Sequence, residues 1–91
     1  MTERVRGHVI VAGVVQGVYF RAATARMAAR LTLDGWVLNL PDGRVEATFE
    51  GPAGDVAEAI DWMRNGPSRA VVDSADIEFE DPRNERGFRI L

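Results

Sequence analysis

Apolar positions recur along this chain with two periods, and the switching between them predicts its elements. Residues 5–13 hold Val9, Ile10 and Val11 without a proline, which predicts a strand, and apolar side chains on both faces near its end suit an interior one. From residue 20 to 31 the period lengthens. Phe20, Ala23, Met27 and Leu31 make one stripe at helical spacing, while Arg26 and Arg30 share a solvated face. Thr32, Leu33 and Asp34 form the exit loop. Residues 35–39 and 44–50 return to strand character, and in the second Val45, Ala47 and Phe49 alternate with polar Glu46, Thr48 and Glu50. Leu40-Pro41-Asp42-Gly43 between them is a turn sequence, so the two strands form a hairpin with Asn39 at the last position before its turn. A second helix follows Gly51-Pro52-Ala53-Gly54, with Pro52 suited to its first turn and Asp55 favourable to its dipole. Val56, Ala59, Ile60 and Met63 are its buried stripe, flanked by Trp62, and Asn65-Gly66-Pro67 closes it. A linker over 68–72 leads to a fourth strand with Ala75, Ile77 and Phe79 inward against Asp76, Glu78 and Glu80. A polar turn over 81–85 precedes a short last strand at Phe88, Arg89 and Ile90. Residues 1–4 are expected to fray.

The order β-α-β-β-α-β, with a small extra strand after it, is that of an α+β, ferredoxin-like split β-α-β plait. Two helices cover one face of a mostly antiparallel sheet, and the other face is partly open or covered by partner contacts. Residues 1–91 suffice for one domain and not for two.

Composition narrows the function classes. A net charge of −3, from 14 acids against 11 bases, disfavours nucleic-acid binding, which normally shows a basic face or stripe. The open face also lacks the aromatic platform of an RNA binder. The absence of cysteine removes disulfides, thiolate nucleophiles and thiolate metal sites together, and fits a cytoplasmic protein. With neither a leader pattern nor a long apolar run, export and membrane insertion are not indicated. His8 stands alone and reads as structural or solvent-facing. The acidic run of Asp76, Glu78, Glu80 and Asp81 reads as a solvated strand face.

The remaining chemistry concentrates at the join between the first strand and the first helix. Gly13-Val14-Val15-Gln16-Gly17-Val18-Tyr19-Phe20-Arg21 is a short turn with glycines at Gly13 and Gly17. Glycine permits positive φ and close backbone approach, and successive N–H groups curling into a helix N-terminus form an anion site. Arg21 in the first turn is unfavourable to the dipole unless an anion lies between its guanidinium and the helix end. The stretch thus reads as a phosphate cradle closed by an arginine. A Gly-x-x-x-Gly turn that binds nothing fits the spacing too. Asn39 can orient a water or, equally, bond a neighbouring backbone group. A cradle, an arginine and an asparagine hold an anion and a water but supply no strong base. The substrate must then carry a good leaving group, as a carboxylic-phosphoric mixed anhydride does.

Val15-Gln16-Gly17-Val18-Tyr19-Phe20-Arg21, followed by Gly35-Trp36-Val37-Leu38-Asn39-Leu40-Pro41-Asp42-Gly43-Arg44-Val45-Glu46, resembles the acylphosphatase family over nearly the whole chain. The resemblance implies hydrolysis of acyl phosphates to carboxylate and phosphate without metal or cofactor. It maps the phosphate-binding loop onto Val15, Gln16, Gly17, Val18, Tyr19 and Phe20, the catalytic arginine onto Arg21 and the water-positioning asparagine onto Asn39. Leu38, Thr32 and Leu91 depart from the usual pattern, where a polar residue, a glycine and an aromatic are commoner. A small-molecule substrate and a monomer are expected. The competing reading is a non-catalytic phosphate-binding or interaction module on the same fold.

Overall fold

The computed structural model describes residues 3–91. Its elements are β1 (Arg4–Val14), α1 (Phe20–Arg30), β2 (Asp34–Asn39), β3 (Val45–Pro52), α2 (Ala53–Asn65), β4 (Val71–Glu80) and β5 (Phe88–Ile90). The strands form one sheet in the order β4-β1-β3-β2-β5. Neighbours are antiparallel except β2 and β5, which run parallel. This is the α+β plait that the element order predicts.

β1 is interior, so Val9 lies opposite Ala47 on one side and Ile77 on the other, and Val11 opposite Val45 and Ala75. Those side chains and Val37 and Phe49 form the sheet's half of the core. Val56, Ala59, Ile60 and Met63 of α2 close over it, at the four positions the helical period selects. Burial of such side chains, about 1.5–3 kcal/mol each, is what holds helices of 11 and 13 residues in place, since helices this short are marginal alone. Phe20 meets Trp62 edge-on at 5.7 Å, joining the start of α1 to α2. Phe88 stacks on Phe49 at 5.6 Å and seats β5.

Three expectations change, and two polar residues prove to be buried. The buried side chains of α1 are Phe20, Thr24, Met27 and Ala28, with Ala23 and Leu31 only half-buried. Thr24 can take a core position because its hydroxyl donates to the Phe20 carbonyl at 2.8 Å, leaving its methyl to pack. Thr48 and Glu50 are buried although they point away from the helices. Glu50 is 0% exposed because the chain after β4 folds over it, with the Arg83 and Glu85 N–H groups donating to its carboxylate at 2.9 and 3.2 Å. Phe79 is 65% exposed, since β4 is an edge strand whose contacts with the core come from Val72, Ala75 and Ile77. Arg4 is not frayed: it lies in β1 and donates to Asp34 at 2.7 Å. Met1 and Thr2, which shared that expectation, lie outside the described residues.

Candidate active site

The cradle begins with a defect in the sheet. Between Ala12 and Gly13 the register of β1 against β4 slips past Asp73, a bulge that turns the end of β1. Gly13 has φ 130°, and a Cβ there would fall 2.1 Å from the Val71 carbonyl oxygen, so only glycine lets the strand leave by this route. The chain then curls through Gly17 (φ 75°) and Tyr19 (φ 61°, ψ 26°) into α1. Among the described residues no side chain caps this helix, and its first turn has no acid. Among the described residues, no N–H of residues 16–19 donates to a main-chain carbonyl. A helix N-terminus with free amides and no anionic cap attracts an external anion.

A cavity of about 440 Å³ opens at this point. Val15, Gln16, Gly17, Tyr19, Phe20 and Arg21 line one side of it. Asn39 lines the other, carried there by the last residue of β2. Among the described residues its side chain makes no hydrogen bond. Val15 and Phe20 are buried and form the floor, whereas Tyr19 is 71% exposed on the rim. Val18 does not line the cavity, because the left-handed turn at Tyr19 leaves it packed toward the core. The Gln16 side chain crosses to the hairpin: its Nε2 donates to the carbonyls of Leu40 at 2.8 Å and Arg44 at 3.0 Å. Ala22 and Ile90 complete the lining and were not singled out in the sequence. Ile90 arrives through the parallel pairing of β5 with β2, opposite Val37, a long-range register with no local sequence signal. Leu91 follows it and accepts a 3.4 Å bond from Arg21 Nη1.

Among the described residues, Arg21 is the only charged side chain lining the cavity. The guanidinium fork can hold two oxygens of one phosphate. Several other charges pair elsewhere. At the far end of the sheet Arg6 Nη1 donates to Glu50 at 2.6 Å and its Nε to Glu80 at 3.0 Å. Burial pushes the Glu50 carboxyl up, but the Arg83 N–H, the Arg6 guanidinium and the Glu85 N–H outweigh it and hold Glu50 below the usual carboxylate range. Glu80 therefore belongs to an ion network, while Asp76, Glu78 and Asp81 are exposed. His8 is structural, its Nε2 2.6 Å from Glu46. Among the described residues no group of three or more His, Cys, Asp or Glu side chains is placed to hold a metal ion, and no helix is long and apolar enough to cross a membrane.

The sequence model of one family, Acylphosphatase, matches residues 7–90, from the start of the core of β1 to the end of β5. This chain belongs to the acylphosphatase family. An acylphosphatase of Gloeobacter violaceus is 54% identical over 91 residues, covering 100% of this chain and 98% of that one. One from Natronomonas pharaonis is 49% identical over 90 residues, covering 99% and 98%. Among solved structures, the acylphosphatase from Coxiella burnetii superposes with a TM-score of 0.92 at 34% identity, over 97% of this chain and 93% of that one. The matched span includes both sides of the cavity, the strand-to-helix turn and the hairpin alike.

Proposed function

We propose that the 15–20 cradle, Arg21 and Asn39 are the hydrolytic centre of this acylphosphatase. The overall activity, hydrolysis of an acyl phosphate to a carboxylate and inorganic phosphate, follows from family membership along the chain and from half-identical relatives that carry the acylphosphatase name over their full length. Those names also favour an enzyme over a non-catalytic module. The division of labour rests on one observation. Free amides of a helix N-terminus, an arginine and an uncommitted carboxamide face the same cavity from two separate parts of the chain.

The substrate's phosphoryl group sits in the cradle, its non-bridging oxygens shared between the amides and Arg21. Asn39 holds a water on the far side of phosphorus. The water oxygen forms the new P–O bond as the P–O bond to the acyl group breaks, and that electron pair leaves with the carboxylate. The water's proton passes to a phosphate oxygen, so no protein base is required. Positioning and charge stabilisation supply the rate enhancement. Residues 1–91 act as a single catalytic domain, as a monomer in the cytoplasm, on a small acyl phosphate.

The test is hydrolysis of a small acyl phosphate with chelator present, and of a plain phosphate monoester as the poor-leaving-group control. Arg21→Ala is expected to lower kcat by about 10²–10³ or more, the usual loss when a charge-stabilising donor is removed. Asn39→Ala is expected to lose turnover while inorganic phosphate still inhibits at nearly the same concentration. Near-full activity of Arg21→Ala, or parallel loss of turnover and phosphate binding in Asn39→Ala, would overturn these roles.

A further inference from the structure

We propose that Gln16 is a positioning residue that locks the phosphate cradle and the water-holding Asn39 into one rigid unit. The inference rests on the roles assigned to the cradle and to Asn39 above and extends them to a residue that need not touch substrate with its side chain.

The two halves of the site come from different parts of the chain. Asn39 stands at the mouth of a tight turn, and that turn is closed by two main-chain bonds. Leu40 N–H donates to the Arg44 carbonyl at 2.8 Å, and Gly43 N–H donates to the Leu40 carbonyl at 3.2 Å. Gln16 Nε2 donates to the same two carbonyls, at 2.8 and 3.0 Å. Each oxygen has a second lone pair to give, so the clamp competes with neither turn bond. The orientation of the carboxamide is settled by chemistry, because both partners are acceptors and only the NH₂ end can face them. One planar group of the cradle therefore grips the residues immediately after Asn39 and at the far side of its turn. Gln16 is also one residue before Gly17, the left-handed position that sets the direction of the cradle's amides.

The consequence is kinetic. In-line attack needs the water oxygen and phosphorus near contact distance along one axis. The cradle fixes phosphorus and the hairpin fixes the water. A misplacement of about 1 Å between two such groups can cost about 10²-fold in rate, while each half still binds its own ligand. Loss of the clamp is thus expected to fall on kcat and to spare phosphate affinity.

The variants are Gln16→Met, which keeps length and removes both donors, and Gln16→Glu, which has the same shape but presents a carboxylate to two carbonyls. Thermal unfolding confirms that each is folded at the assay temperature. For Gln16→Met the expected result is a kcat lowered about 10–100-fold, with KM and the inhibition constant of inorganic phosphate each changed less than about threefold. Gln16→Glu is expected to recover kcat relative to Gln16→Met as pH falls and its carboxyl gains a proton to donate. A methionine cannot do this, and a role in stability alone gives no such recovery. Should Gln16→Met fail to fold, the Gln16→Glu pH profile is read against that of the parent, and identical profiles overturn the proposal; should Gln16→Glu fail, the kcat and phosphate inhibition of Gln16→Met decide it. The proposal is overturned if kcat stays within about threefold of the parent, if phosphate affinity falls in step with kcat, or if the Glu and Met variants share one pH profile. Asn39→Ala assayed alongside separates the two failures. A fully active Asn39→Ala removes the reading on which the clamp rests, whereas an inactive Asn39→Ala beside an unimpaired Gln16→Met removes only the clamp.

Discussion

Glu50→Gln tests how far the fold depends on the charge buried at the end of the sheet away from the cavity. Glu50 is fully buried and accepts from Arg6 Nη1 at 2.6 Å, Arg83 N–H at 2.9 Å, Glu85 N–H at 3.2 Å and Arg4 at 3.5 Å. Glutamine preserves the volume but replaces one acceptor with an NH₂ that must face a donor, and it removes the charge opposite Arg6, itself buried. Removing one partner of a buried ion pair costs about 3–5 kcal/mol. Arg6 retains Glu80 at 3.0 Å and Glu85 at 3.3 Å, so the expected loss is nearer 2–4 kcal/mol, on the order set by the same measurements. For a chain of this size about 1 kcal/mol moves Tm by about 4–8 °C, which puts the expected fall at about 8–30 °C. Urea unfolding followed by tryptophan fluorescence measures the loss. Turnover well below the midpoint should stay within about threefold of the parent, because the network and the cavity lie at opposite ends of β1. A destabilisation under about 1 kcal/mol would show that the 81–85 segment and the sheet hold without this charge, and the reasoning would fail.

Two further outcomes follow from the same structure. Glu50 is held below its ordinary value, and so is Asp34, where burial is outweighed by the Arg4 guanidinium and the Gly87 N–H. A depressed carboxyl stabilises the fold above its unfolded pKa, about 3.9–4.3, and loses that contribution as pH falls through the lower folded value. Urea midpoints are therefore expected to drop steeply below about pH 4, with a shallower slope in Glu50→Gln; equal slopes would contradict the assignment. Gly35→Ala is expected to destabilise by about 2–5 kcal/mol, because φ there is 138° and a Cβ would lie 2.0 Å from the Thr48 carbonyl oxygen. An unchanged denaturation midpoint would mean that β2 and β3 can separate freely at that point.

The core of α2 was legible because its period and its surroundings agree: one face meets the sheet and the other meets water, so Val56, Ala59, Ile60 and Met63 were selected by spacing alone. The α1 stripe was read less well. Thr24 counts as polar until its hydroxyl is seen bonded to the carbonyl one turn back, and that bond is invisible to a hydropathy pattern. The burial of Thr48 and Glu50 is likewise invisible to such a pattern. Alternation assigns them to the face opposite the helices, but at Glu50 whether that face is wet depends on a segment more than thirty residues later folding over it. Phe79 failed in the opposite sense, since an inward position on an edge strand has nothing above it. In the candidate site, the turn that carries Arg21 and the proposed cradle was legible because it is local to one strand-to-helix join. The second use of Gln16 and the presence of Ile90 were not, since each is fixed by a partner far along the chain.

Local chemistry along the chain determined which elements form, where a phosphate could be cradled, and which arginine and asparagine stand beside turns able to present them. These follow from short-range geometry: glycine's freedom in φ, the free amides of a helix start, and the two periods of apolar burial. Only the tertiary structure decided that the Asn39 turn and the Arg21 turn face one cavity, that Gln16 ties them together, and that Glu50 is dry. Those outcomes depend on strand order and register, which arise from the packing of the whole sheet and leave no mark on any single stretch of sequence.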